Sequence, residues 1–222
     1  TNSSTQEVTV TVTDVNEAPS ITSSASFSAA ENQTAIGTVT ASDPESDTLT
    51  FSVSGSDLAI DSSTGVLTFA SAPDFETTTS VTATVTVSDG TNSSTQEVTV
   101  TVTDVNEAPS VTSGATFTAA ENQTAVGTVT ATDPESDTLT FSVSGSTLEI
   151  NSSTGVLTFA SAPDFETTTS VTATVTVSDG TNSSAQEVTV TVTDVNEAPS
   201  ITSGAAFSAA ENQTAIGTVT AT

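Results

Sequence analysis

The chain contains no lysine, arginine or histidine against 27 aspartate and glutamate residues, so its formal charge is −27. Phosphate binding needs Lys or Arg, and nucleic acid is therefore excluded as a partner. The same imbalance opposes anionic membrane surfaces. It favours cations, with hard divalent metals first among them. Cysteine is also missing, so no disulfide can staple the fold and some other fastening is needed. With no His, Cys, Lys, Trp or Tyr, the chain lacks the usual bases, the thiol nucleophile and the aromatic platforms for sugars. No enzymatic activity is expected. No run of residues is long and apolar enough to span a bilayer, and direct membrane insertion of this segment is not expected.

High charge of one sign would by itself indicate disorder. Hydrophobic residues nevertheless make up 34% of the chain and recur in strict alternation, which predicts folded strands. The dominant feature is an internal repeat. TNSSTQEVTVTVTDVNEAPS stands at residues 1 and 91, and a variant with Ala185 in place of Thr stands at residue 181, so the period is 90 residues. Ser20–Pro109 and Ser110–Pro199 differ at ten of 90 positions, and six of these are Ile/Val, Ser/Gly or Ser/Thr exchanges. The organisation read from this is the end of one repeat with its linker (1–19), two whole repeats (20–109 and 110–199) and the start of a further one (200–222).

Each repeat reads as all-β. Val81, Ala83, Val85 and Val87 alternate with hydroxyl residues, as do Val98, Val100 and Val102. Period-two alternation with β-branched residues marks strands with one buried face. Shorter strands are expected near Ile21–Phe27, Ile36–Ala41, Leu49–Val53, Leu58–Ile60 and Val66–Phe69, punctuated by Ser-Thr-Gly at 63–65 and Asp-Gly at 89–90. About seven strands in one repeat is the profile of a seven-stranded Greek-key β-sandwich of immunoglobulin-like architecture.

The carboxylates are clustered. One repeat has Glu31, Asp43-Pro-Glu45-Ser-Asp47, Asp74-Phe-Glu76, Asp89-Gly and Asp104-Val-Asn106-Glu107-Ala-Pro109. In a sandwich, strand ends and loops gather at two poles. Hard divalent cations take about six to eight oxygens, more than one short loop supplies. A junction where two repeats meet pole to pole can supply them.

The order Ala-Glu-Asn, Thr-Val-Thr-Ala-Ser-Asp-Pro-Glu, Leu-Ala-Ile-Asp-Ser-Ser-Thr-Gly-Val-Leu, Pro-Asp-Phe-Glu, Val-Thr-Val-Ser-Asp-Gly, Asp-Val-Asn-Glu-Ala-Pro resembles the cadherin repeat from end to end. Its near-identical copies look most like those of large bacterial surface adhesins. The resemblance implies Ca2+ between successive repeats, tandem sandwiches joined end to end, and an extracellular or cell-surface location. Carried over by motif, the junction between the whole repeats would use Glu31, Asp74 and Glu76, the linker residues Asp104, Asn106 and Glu107, and Asp133, Glu135 and Asp179. Half of a preceding junction would be Asp14, Asn16, Glu17, Asp43, Glu45 and Asp89. Half of a following one would be Glu121, Asp164, Glu166, Asp194, Asn196 and Glu197. The linker is one residue shorter than the vertebrate form, and Glu135 stands where the family has the second Asp of an Asp-x-Asp pair.

The function implied is a calcium-rigidified spacer or stalk of a long repetitive adhesin. The alternative is a self-associating repeat that builds a matrix fibre, such as a biofilm matrix, or a homophilic cell–cell contact, its partners being calcium ions and other copies of itself. A third reading makes Thr82, Thr84, Thr86, Thr99, Thr101 and Thr103 a regular hydroxyl array for a ligand, against the plain fact that Thr is a good strand residue.

Overall fold

A computed structural model describes residues 1–145 and 147–222 and divides the chain into two units, Thr1–Asn106 and Glu107–Thr222. No helix occurs among the described residues. The first unit holds β1 (Ser20–Ile21), β2 (Ser26–Ala30), β3 (Ala35–Thr38), β4 (Ala41–Ser42), β5 (Thr50–Val53), β6 (Leu58–Ile60), β7 (Val66–Phe69), β8 (Ser80–Ser88) and β9 (Ser93–Thr103). The second repeats them as β10 (Ser110–Val111), β11 (Thr116–Ala120), β12 (Ala125–Thr128), β13 (Ala131–Thr132), β14 (Thr140–Ser144), β15 (Leu148–Ile150), β16 (Val156–Phe159), β17 (Ser170–Ser178) and β18 (Ser183–Thr193).

These segments follow seven strand lines, two of which are interrupted. The line expected over Ile21–Phe27 opens as β1, paired with β4, and continues as β2 in the other sheet, in the order β2-β9-β8-β5. The line expected over Ile36–Ala41 breaks into β3 and β4. A register shift between Ala35 and Gly37 disturbs its pairing with β7, in the sheet β3-β7-β6. Changing sheet lets one strand close both edges of the sandwich. β2 runs parallel to β9, from Ser26 opposite Thr99 to Ala30 opposite Thr103. The second unit has the same order and the same parallel pair, β11 with β18.

The inward residues of the two long strands form the core. Val85, Val87, Val98, Val100 and Val102 close over Leu58, Leu67, Phe69 and Val39, and the second unit has its own equivalent cluster around Leu157 and Phe159. Gly65 is required where it stands. Its φ is +70°, and a Cβ there would lie 2.3 Å from the Val39 carbonyl oxygen. The outward faces of β8 and β9 carry the threonines. Thr82 lies opposite Thr99 and Thr86 opposite Thr95, but Thr84 lies opposite Glu97, so a carboxylate interrupts the hydroxyl array.

The β6–β7 turn contains a natural substitution. Asp61 Oδ1 accepts the N–H groups of Ser63 and Thr64 at 3.0 and 2.8 Å and the Thr64 hydroxyl at 2.9 Å. Asn151 takes the same position in the second repeat and accepts the Ser153 and Thr154 N–H groups at 3.0 Å each. The Thr64 N–H, then its hydroxyl and the Ser63 N–H, hold Asp61 below the usual carboxylate range. A folded-state pKa that is lowered contributes stability above the unfolded value of about 3.9, and this is lost as pH falls through the folded value. The variant Asp61→Asn is therefore expected to flatten the acid limb of the first repeat's stability and leave the second unchanged. Urea midpoints of the two repeats measured from pH 6 down to 2.5 check this, and an unchanged acid limb in the variant counts against it.

Candidate metal centre

Each repeat gathers carboxylates at both ends of its sandwich. At the end where β2 and β9 both finish, Ala-Glu-Asn turns sharply because Asn32 sits at φ 60°, a conformation Asn tolerates better than most residues. The turn sends Glu31 inward, where it is 3% exposed. Its Oε2 accepts the Phe75 N–H at 2.7 Å and its Oε1 the Val105 N–H at 2.9 Å. Asp74 caps its own loop by accepting the Glu76 N–H at 3.0 Å. Glu31, Asp74 and Glu76 thereby bring carboxylate oxygens within 4.8 Å of one another.

The second repeat builds the same end from Glu121, Glu166, Asp194 and Glu197, also within 4.8 Å. Glu121, Glu166 and Glu197 line, with Asp164 and Asn122, an open hollow of about 650 Å³. Asn122 Nδ2 donates to Glu197 Oε1 at 2.5 Å. The Glu166 backbone N–H lowers its own carboxyl. The hydrogen bond shared with Asp164, burial, and the charges of Glu121 and Glu197 outweigh it, so Glu166 is raised above the usual range.

At the opposite end, the linker meets the Asp-Pro-Glu and Asp-Gly loops. Asp14, Glu17 and Glu45 have oxygens within 4.8 Å, and the Glu17 N–H donates to Glu45 Oε2 at 3.2 Å. A hydrogen bond shared with the Glu17 carboxyl, then burial and the charges of Glu17 and Asp43, raises Glu45. Asn16 Nδ2 donates to Asp89 Oδ2 at 3.0 Å, and Asn92 Nδ2 donates to the Asn16 carbonyl at 2.9 Å. The N–H groups of Asn92 and Thr91, both 2.6 Å from Oδ1, hold Asp89 below the usual range. In the second unit, Glu107 and Glu135 approach within the same 4.8 Å.

Asp43 Oδ1 accepts the Glu45 and Asp47 N–H groups at 3.1 Å each, but its Oδ2 is buried with no hydrogen-bond partner. The same is true of Asp133 Oδ2 and of both Glu135 oxygens. Buried polar atoms are normally satisfied, so these oxygens fit a cation. Oxygens bound to one calcium ion at about 2.4 Å lie no more than about 4.8 Å apart, and the oxygens of each cluster lie within that limit. Every donor is an oxygen, the choice of a hard cation. Calcium is the group these residues fit.

Asn92 had no place among the expected site residues. Its fixed distance after Asp89-Gly90 was the available signal, and its contact with Asn16 spans 76 positions of sequence.

The profile described as Bacterial Ig domain matches residues 16–103 and again residues 106–193. The chain belongs to the bacterial Ig domain family. Its bacterial Ig tandem is similar in fold to three-repeat mouse Cadherin-23 EC22-24, at 21% identity and a TM-score of 0.62, over 94% of this chain and 78% of that one. It is similar also to human Protocadherin-24 EC1-2, at 20% identity and a TM-score of 0.56, over 82% of this chain and 100% of that one. Drosophila N-cadherin EC1-4 follows at 19% identity and 0.56, over 81% of this chain and 50% of that one. No curated protein matches the sequence. The likeness of these bacterial Ig repeats to cadherin repeats is one of fold.

Proposed function

We propose that this segment is a calcium-rigidified extracellular spacer of a longer repetitive adhesin. Residues 20–109 and 110–199 would be its whole repeats, and 1–19 and 200–222 parts of neighbouring ones. The observation that carries this reading is the set of buried carboxylate oxygens without partners, Asp43 Oδ2, Asp133 Oδ2 and both of Glu135, in a chain that has no cationic side chain to pair with them. Carboxylates gathered this closely repel one another, and the repulsion is screened little where they are partly buried. Calcium supplies the opposing charge and several oxygen bonds at once. Glu31, Asp74 and Glu76 would supply ligands at one end of a repeat, and the linker with the Asp-Pro-Glu and Asp-Gly loops would supply them at the other. Joining three segments removes freedom from the linker, and that loss of freedom is the spacer's stiffness. Extracellular calcium modules bind with Kd of about 10⁻⁴–10⁻³ M, so the sites would fill outside a cell.

Small-angle X-ray scattering of the chain tests this, in chelator and in millimolar calcium. The expected result is a narrower set of conformations and a larger, better-defined maximum dimension with calcium. Identical scattering in both conditions would reject the reading. The outer faces favour a second role: in the first repeat, the β8–β9 face is Ser and Thr apart from Glu97, so copies could approach there with little charge repulsion. Mass that grows with protein concentration in the same experiment would support self-association into a fibre.

A further inference from the structure

Four hydrogen bonds converge on two adjacent residues in each repeat. The Glu31 N–H donates to the Thr103 carbonyl at the end of β9, and the Asn32 N–H donates to the Pro73 carbonyl of the Asp-Phe-Glu loop. The Glu31 side chain then reaches the same two places, Val105 just beyond β9 and Phe75 within the loop. Glu121 repeats the arrangement, with Phe165 at 2.7 Å and Val195 at 2.8 Å, and is likewise 3% exposed. No other charged residue among those described is buried.

We propose that Glu31 and Glu121 are positioning residues that assemble the carboxylate end of each repeat before any ion binds. Each ties the loop bearing Asp74 and Glu76, or Asp164 and Glu166, to the linker through two backbone N–H groups. A carboxylate offers about four acceptor positions, and these bonds use two. One oxygen of each glutamate also lies within 4.8 Å of the neighbouring carboxylates. The carboxylate thus has two opposed effects without calcium: its charge adds to the repulsion, and its hydrogen bonds hold the repelling groups in place. Charge-assisted bonds of this kind are among the stronger ones, and neutralising one end leaves a buried N–H facing an amide. The link to calcium affinity rests on the function proposed above, whereas the clasp itself does not.

The experiment is done in chelator, where a ligand and a clasp predict opposite signs. Glu166→Gln removes an exposed charge from the cluster that also contains Glu121, Asp194 and Glu197. It is expected to leave the melting temperature of the second repeat unchanged or raise it. Glu121→Gln is expected to lower it by about 5–15 °C. Equal or opposite behaviour would make Glu121 a ligand only, with no positioning role, and overturn the proposal. Hydrogen exchange of the unaltered chain in chelator gives a second reading should Glu121→Gln fail to fold. The amides of Val105 and Val195, in residues that are 44% and 43% exposed, should exchange slowly. Exchange at the rate of a free loop would refute the clasp. If calcium leaves the scattering unchanged but these results hold, the spacer reading fails and the clasp remains.

Discussion

Calcium at 10 mM is expected to raise the melting temperature of each repeat by about 10–20 °C over its value in chelator. An ion bound only to the folded state at about 100 times its Kd contributes about 2.7 kcal/mol, and 10 mM is that multiple for a site of about 10⁻⁴ M. A domain of this size moves by about 4–8 °C per kcal/mol. The unfolded chain does not reproduce the site, because Glu31 and Glu76 are 45 residues apart in sequence and meet only through the fold. Sodium chloride at matched ionic strength is the control. Screening acts over about 10 Å at 0.1 M, but oxygens within 4.8 Å lie well inside that distance, so monovalent salt should give only a small part of the shift. Calorimetry reads both conditions directly. A calcium shift no larger than the sodium shift would reduce the clusters to ordinary surface charge.

Leu67→Ala is expected to unfold the first repeat selectively. Leu67 is 0% exposed and packs among Val85, Val98 and Phe69 in the first core. Removing a buried leucine side chain costs about 2–5 kcal/mol, a large part of the roughly 5–15 kcal/mol that holds a domain folded. No disulfide compensates, because the chain has no cysteine. Leu157, the counterpart, belongs to a separate cluster. In chelator, calorimetry of the variant should show one transition lowered by at least about 10 °C and another that does not move. A single transition that falls as a whole would mean that the two cores unfold together.

The sandwich was legible because burial follows alternation. Val85, Val87, Val98, Val100 and Val102 were expected inward, and all are buried. The interruptions were missed. Ile36 to Ala41 was expected as one strand, although Ile36 and Val39 stand three apart and so out of strand phase. Gly37 sits beside a register shift, and Phe27 packs so closely that a Cβ on Gly37 would lie 3.3 Å from its ring. That contact joins residues from different strands, and local periodicity carries no trace of it. The acidic loops were legible as groups because they recur at fixed spacing. Their internal division was not. Glu31 and Glu76 are both acids in short motifs, but one is buried on two backbone N–H groups and the other is exposed. That difference arises from the Asn32 turn and the end of β9, which only the fold brings together.

The parallel pairing of β2 with β9 gives each repeat a particular response to tension. The chain enters a repeat at β1 and β2 and leaves it from β9. A pull on both ends therefore slides these neighbours past each other along their length. Five facing residue pairs, Ser26–Thr99 through Ala30–Thr103, share that load together instead of opening one after another, as the strands of a hairpin do when peeled from its open end. Resistance to force thus comes from the order in which the strands are connected, and every copy of the repeat carries it.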